Sequence, residues 1–452
     1  MRLLVSSYLL CVIGYCALIA DSSNAADVAT VTEEPPSFSQ QVAAILYDNC
    51  VACHGLKKAE GGYRVDSFAE LQKPGDSGLL PIDAADLSAS ELLRRLTTTD
   101  EDERMPAGDA PLDAASIALI SDWISKGAAF DGEHSDEPLF DLIPAATYPD
   151  PPTVYPAVLP ITAVAFTPDG LHLLVSGYRE ITVWNCENAS LQRRITNIGP
   201  RVYAIEFLAD QKTLAIACGE PGLKGEVRLF DYESGALRGV LGRSHDVIVD
   251  LAVRPGLRQL AAASEDGMIQ IIDSEAMRVS RTIASHADGV AAIAWNADGS
   301  RLASASRDKS VKVFDANDGN LLASYQGHNT PVRGVSFAAD GISVISAGSD
   351  SQLHRWNIQD SAKIAAIPVG GEAFRIVRSD NQLWIPSTDR HMRLVNLADN
   401  TVVKTLAGHT DWITSVAIHT TTKQLASGAM DGEIRLWNTE DGSLIRAWIA
   451  KP

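Results

Sequence analysis

The chain has 452 residues, room for two or three domains, and a hydrophobic share of 46%, ordinary for a protein that builds a sizeable core. Its net charge of −19 argues against nucleic acid as a partner, since a phosphate backbone calls for basic surface. Six cysteines are too few for a disulfide scaffold at this length.

The start reads as an export signal. Arg2 supplies the positive end, Leu3 to Ala20 is largely apolar, and Ser23-Asn24-Ala25 offers small residues for cleavage before Ala26. Residues 1–25 are therefore a signal peptide, and 26–36 a flexible mature N-terminus. The apolar run is near the lower limit for a membrane span, so an uncleaved anchor is the alternative. A lipid anchor on Cys16 is disfavoured by bulky Tyr15 before it. Either way the remainder is expected outside the cytoplasm, in the periplasm or a comparable compartment.

Residues 37–130 come next. A helix capped by Ser37 or Ser39 places Phe38, Val42, Ile45 and Leu46 on one face. It leads to Cys50-Val51-Ala52-Cys53-His54, a C-x-x-C-H attachment sequence for a c-type haem. Two thiols three apart add across the two vinyl groups of one haem, and the following imidazole reaches the iron as proximal ligand. The alternatives are a redox dithiol or half a zinc site, and zinc would need a second ligand pair that is not nearby. Ser88 with Glu91 three later predicts a capping box and a second helix with Leu92, Leu93 and Leu96 on its apolar side. A third helix is predicted from about Asp113 to Lys126, stopped by Gly127.

The iron's other side needs a donor. Between residues 55 and 133 stand one methionine, Met105, and no histidine. Pro106 stiffens its loop, and His/Met ligation favours electron transfer over catalysis. His134, beyond the third helix, is the second candidate ligand. Residues 27–137 hold 22 acidic and 8 basic side chains, a net of −14. That is either a solvated surface or a means of steering toward a basic redox partner.

This region resembles the class I cytochrome c fold, in particular the cytochrome c domain common in planctomycete proteins. The matching residues are Cys50 to Gly55, Gly61 to Ser67, Arg104-Met105-Pro106 and Trp123 to Ala128. The resemblance implies that Cys50 and Cys53 are thioether sites for one haem c per chain, with His54 and Met105 as the axial iron ligands. Tyr63 stands where the family usually has Leu, and Ala107 where it has a second Pro; neither change removes a ligand. Arg64 has two readings, a partner for a haem propionate or an ordinary salt bridge, and the second is the more economical.

Residues 131–155 carry five prolines and no periodicity, and read as a semi-rigid extended linker, with Phe140, Leu142 and Ile143 available to dock on a neighbour. Residues 156–452 repeat. An apolar residue followed by Asp or Asn recurs at Trp184, Phe230, Ile272, Phe314, Trp356, Val395 and Trp437, at steps of 46, 42, 42, 42, 39 and 42. Four short strands at that period make a propeller blade, so seven periods make seven blades. The region resembles the WD-repeat family. His286, Ser304, Asp308 and Phe314 share their spacing with His328, Ser346, Asp350 and Trp356, and with His409, Ser427, Asp431 and Trp437. In WD repeats such residues resemble a hydrogen-bonded network within a blade, a scaffold role rather than catalysis or metal binding. The outer strand 444–449 belongs to the last blade, which leaves ring closure open unless residues 154–159 supply a strand. Cys186 and Cys218 are expected to be buried free thiols.

The expected fold is thus multidomain: a small all-α cytochrome c domain, then an all-β seven-bladed WD-repeat propeller. The expected function is an exported monohaem cytochrome transferring single electrons, its propeller docking a protein or ligand. The alternatives are an oxidoreductase whose propeller binds substrate or a second cofactor, and a non-enzymatic scaffold or redox sensor. No catalytic residue is assigned.

Overall fold

The computed structural model describes residues 34–56 and 58–452. The expected signal peptide, and residues 26–33 of the expected N-terminal stretch, lie outside the described residues. Among the described residues no helix is long and apolar enough to cross a membrane.

The helical part begins where the sequence predicts. Ser37 Oγ accepts a hydrogen bond from the Gln40 amide at 3.0 Å. The first turn, Phe38–Val42, is π-helical, and α1 (Ala43–Asn49) follows. Phe38, Val42 and Leu46 are buried on the predicted face. The Asp131 carboxylate accepts from Ser37 Oγ at 2.5 Å and the Ser39 amide at 2.8 Å, tying this start to the far end of the segment. Next come α2 (Phe68–Leu71), α3 (Glu91–Thr97) and α4 (Ala114–Ser125).

The capping box at Ser88 does not form. Ser88 lies inside a short 3-10 turn, Leu87–Ala89, which Asp86 caps, and Ser90 stands at the N-cap of α3. Glu91 is taken instead by Arg94 and Arg95, which outcompete the neutral backbone donor. For α4, Asp113 accepts from the Ser116 amide at 2.9 Å, and Gly127 leaves the helix at φ +105°, a conformation that favours glycine. Phe38, Leu46, Leu93, Leu96, Ile120 and Trp123 belong to one core. Phe38 lies 4.9 Å from Phe68 and 5.3 Å from Trp123, centroid to centroid.

Residues 131–155 are not a bare connector. They contain α5 (Leu139–Leu142). Leu139 is buried in the helical core, with Leu142 and Ile143 packed against it, while Phe140 packs against a cluster spanning blades two and three. Arg243 donates to the carbonyls of Phe140 and Ile143 at 2.8 and 2.6 Å. Further along, Arg228 holds the Ala146 carbonyl at 2.5 Å, and Arg194 holds those of Pro152 and Thr153 at 2.6 and 3.1 Å. The segment is thus strapped to blades one and two.

The propeller has seven sheets of four antiparallel strands, each sheet built from strands consecutive in the chain: residues 164–195, 201–244, 248–284, 290–325, 332–368, 377–406 and 413–449. Burial follows position in the blade. The second strand of blade two, Thr213–Glu220, is buried at all but its last residue, whereas the outermost strand of blade seven, Leu444–Ile449, has no buried residue. Inner strands are covered on both faces by neighbouring blades, which is why they read as continuous apolar runs. Seven buried clusters lie one at each of the seven junctions between adjacent blades.

No strand is exchanged at ring closure. Residues 154–159 form no strand, and blade seven is completed by its own Leu444–Ile449. The closing junction is side-on packing. Ile161, Val164, Phe166 and Trp184 of the blade-one side share a cluster with Ile434 and Leu436 of blade seven. The Ile161 amide donates to the Ala429 carbonyl at 3.1 Å. Each buried aliphatic side chain there contributes about 1.5–3 kcal/mol, which lets packing do what an interlocking strand would otherwise do.

In two of the three predicted networks the His–Ser–Asp part forms, but the aromatic member does not join it: Phe314 has no donor, and Trp356 Nε1 is buried without a partner. In blade four His286 meets Ser304 at 2.7 Å and Asp308 at 2.9 Å; in blade five His328 meets Ser346 at 2.9 Å and Asp350 at 3.1 Å. Blade seven departs. His409 and Trp437 both reach Ser427, at 2.7 and 2.8 Å, but His409 faces Glu433 at 3.0 Å while Asp431 is held by Thr410. Cys186 and Cys218 are buried and free.

Candidate haem site

The C-x-x-C-H stretch leaves α1 as a tight turn. The Cys50 amide still donates to the Leu46 carbonyl at 2.9 Å, and the Cys50 carbonyl accepts from the amides of Cys53 and His54 at 3.2 and 2.9 Å. A Cβ on Gly55 would sit 2.5 Å from the Val51 carbonyl oxygen, so only glycine lets the chain turn back there. The turn separates the two thiols by environment. Cys50 packs against the helical core, and burial pushes its thiol up to about 12; Cys53 is exposed, 4.0 Å from the Lys58 ammonium.

His54 is oriented from behind. Its Nδ1 lies 3.3 Å from the Tyr63 carbonyl oxygen, and its own carbonyl accepts from the Val65 amide at 2.8 Å. Nδ1–H donating to that carbonyl leaves Nε2 as the free lone pair, the arrangement that fixes tautomer and ring direction in histidines bound to iron. Tyr63 is itself anchored, its hydroxyl donating to the Leu71 carbonyl at 3.1 Å. Two free thiols, an oriented imidazole and an apolar core beside Cys50 are the donors and wall that a covalently attached haem requires, so the residues fit that group.

Met105 sits, half-buried, in the loop between α3 and α4. Its amide donates to the Arg95 carbonyl at 2.9 Å. The loop is clamped to α3 because Arg94 reaches Glu103 at 2.5 Å and Arg95 reaches the Glu103 carbonyl at 3.2 Å. Glu91 organises both arginines, and its hydrogen bonds from Arg94 hold its carboxyl down near about 2. Arg64 makes a two-point bond to Asp66, at 2.9 and 2.6 Å, the salt bridge of the simpler reading. His134 is exposed beyond α4.

Three features escaped the sequence. The Tyr63 carbonyl behind His54 is a backbone group and carries no side-chain signature. Tyr47, one turn before Cys50, stacks on His245 of the propeller at 4.7 Å; only its bulk on the apolar side of α1 hinted at a partner. His354 joins His328 and Asp350 as the one group of His, Cys or acidic side chains, among the described residues, close enough to hold a metal. The geometry is poor for that role. The His328 and His354 rings stack 3.9 Å apart and 13° from parallel, so their in-plane lone pairs do not converge. His328 is bonded at both nitrogens, and His354 Nδ1 meets the Tyr325 hydroxyl at 2.9 Å. The group belongs to the blade.

Comparison with known families agrees with this division. The family model described as Planctomycete cytochrome C matches residues 50–109, which span the C-x-x-C-H stretch and Met105. The model described as WD domain, G-beta repeat matches residues 277–315, 319–357 and 400–438. Those three matches contain the tryptophan or phenylalanine strands of blades four, five and seven, the blades with the His–Ser pairs. No curated protein matches the chain. The chain joins a small helical domain of the planctomycete cytochrome c type to a seven-bladed WD-repeat β-propeller.

Proposed function

We propose that this protein is an exported monohaem c-type cytochrome that passes single electrons, with the propeller as its docking module. In this reading Cys50 and Cys53 carry the haem through thioether bonds, and His54 and Met105 hold the iron. The observation that carries it is the Tyr63 carbonyl behind His54 Nδ1, which leaves Nε2 free in a turn flanked by two free thiols. Haem c supplies one-electron exchange at its iron. The chain does the rest. The Tyr63 carbonyl keeps the imidazole in one tautomer, and the α3 arginines keep the Met105 loop closed. The exposed run Asp100-Glu101-Asp102 just before Met105 favours a basic redox partner, with a rate that falls as salt rises. The strapped linker holds the helical domain at one place on the propeller, so a partner docked on the ring meets the redox centre at a fixed position.

The test is expression in a host that matures c-type cytochromes. One haem resisting acid–organic extraction, with its mass on the peptide containing Cys50 and Cys53, is the expected result. A pigment that washes out, or a polypeptide of unmodified mass, overturns the reading. Met105→Ala should retain the covalent haem and gain carbon monoxide binding in the reduced state. A wild-type protein that already binds carbon monoxide at neutral pH would remove Met105 from the iron.

A further inference from the structure

Inside the ring, on the axis side of blades one, two, six and seven, lies a cavity of about 420 Å³. Its walls include Phe166, Glu206, Phe207, Arg375, Ala417 and His419. The size suits a small molecule rather than a peptide. Two of these residues, Glu206 and Arg375, are charged. Glu206 occupies the place that Ala165, Ala252, Ala294, Ser336 and Ala417 hold in the corresponding strands of blades one, three, four, five and seven. A carboxylate in a row of small residues is a local departure that the ring does not need for closure.

The charges form a group of three. Arg375 Nη2 lies 2.7 Å from Glu206 Oε1, 3.2 Å from Asp250 Oδ1 and 3.2 Å from the Leu251 carbonyl. Asp250 is almost wholly buried and is used up: its oxygens also accept the Leu251 amide at 3.0 Å and the Ile293 amide at 2.9 Å. Glu206 and Arg375 differ, with about a third of each side chain exposed, 34% and 28%. Within the described residues, Glu206 Oε2 and Arg375 Nε and Nη1 make no hydrogen bond, and both residues line the cavity. Two carboxylates against one guanidinium leave one negative charge. Burial raises the carboxyl pKa of both Glu206 and Asp250, against the pull of the Arg375 guanidinium.

We infer that the cavity is a binding site for a small organic ammonium ion that also carries an oxygen acceptor, the chemistry of an amino alcohol or a free amino acid. The ammonium pairs with Glu206 Oε2 and offsets the uncompensated charge. The acceptor takes the free edge of Arg375. Phe166 and Phe207 line the apolar part, where their ring faces suit the methylenes beside a cation. The site is independent of the haem.

The experiment is titration calorimetry and thermal melting of the full chain, with and without haem, against ethanolamine, glycine, methylammonium and acetate. Ethanolamine or glycine should bind and raise the melting temperature, with methylammonium weaker and acetate inert. Glu206→Gln should weaken binding by about tenfold or more, one to two lost charge-assisted contacts. Ala209→Trp, at the exposed rim, plugs the mouth without touching the buried charges and should abolish binding while the protein stays folded. Binding that survives Ala209→Trp, acetate binding alone, or no binding at millimolar ligand would each overturn the inference.

Discussion

The junctions between blades and the junction between the helical domain and the propeller are built from different materials. Each blade junction holds a buried apolar cluster, such as Ile161, Val164 and Leu436 at ring closure. The domain junction holds polar atoms without partners. The Tyr47 hydroxyl and His245 Nε2 are buried there and make no hydrogen bond, and the buried Asp141 carboxylate has no well-formed partner, only the Val279 backbone close by. Burial pushes Asp141 up to about 7, with Glu137 adding to the rise and the Arg243 guanidinium opposing it. The same Arg243 spends its hydrogen bonds on the carbonyls of Phe140 and Ile143 rather than on that carboxylate. Apolar junctions are indifferent to pH; a junction of this second kind is not.

The contrast breaks most severely at ring closure. Ile161 is 1% exposed, and Ile161→Asp would bury an unpaired charge between blades seven and one at a cost of several kcal/mol, on the order of 4. Because no exchanged strand backs up that junction, urea unfolding of the propeller should shift to much lower denaturant. A variant that unfolds like the parent would mean that closure does not rest on this packing.

Asp141→Asn tests the other junction. The folded carboxyl titrates near about 7 and the unfolded one near 3.8. The folded state therefore holds the extra proton between those values. Its contribution is fully present below the unfolded pKa and is lost as pH rises through the folded one, so the ionised group costs most above pH 7. The asparagine variant should be more stable than the parent at pH 8, by a few kcal/mol at most, with the gain shrinking toward pH 4. Hydrogen exchange in α5, followed against pH in both proteins, would show it. Equal pH profiles would mean that Asp141 is compensated by a group outside the pairs described here.

The blades should respond to acid in the opposite direction. Burial pushes His354 down to about 4, with the stacked His328 adding to the shift, and burial pushes His409 down to about 4 against the pull of Glu433. Unfolded histidine titrates near 6.5. Between those values the unfolded chain binds more protons, so this part of the stability is present above 6.5 and drains as pH falls toward 4. His354→Gln should flatten that slope by an amount comparable to a kcal/mol or so, about one pKa unit's worth. An unchanged slope would assign the acid sensitivity elsewhere.

How much of this was legible follows the same division. The blades announced themselves because their signal is periodic and made of side chains: a strand motif every 42 residues or so, and a His–Ser spacing repeated three times. Even there Glu433 displaced Asp431 as the partner of His409, a substitution within one turn that spacing does not resolve. The C-x-x-C-H stretch was legible as part of a cytochrome c domain, the region that the family model also matches, because its residue types come in a fixed order. What stayed hidden is contact between distant segments: Tyr47 on His245, Leu139 in the helical core, Arg375 between Glu206 and Asp250. Ser88 failed as a cap for a local reason, since Arg94 and Arg95, one turn on, gave Glu91 stronger partners than a backbone amide. Pairings of high sequence separation leave no pattern in either member.

The smallest expected effect is the most discriminating. Tyr47 is a buried phenol whose ring stacks on His245, 4.7 Å away, and whose hydroxyl has no partner. Tyr47→Phe keeps the ring and removes the orphan oxygen, so stability should hold or rise by up to about 1 kcal/mol. Loss of stability instead would mean that the hydroxyl is satisfied by bound water, and the junction would be wet rather than strained. Tyr47 stands one helical turn before Cys50, so the same variant also asks whether the junction touches the proposed haem site. A reduction potential unchanged from the parent would make the propeller contact purely mechanical, a clamp on α1. In the proposed cytochrome, a shifted potential would make the propeller surface part of what tunes the haem, with α1 and the turn that carries His54 as the covalent path from the junction.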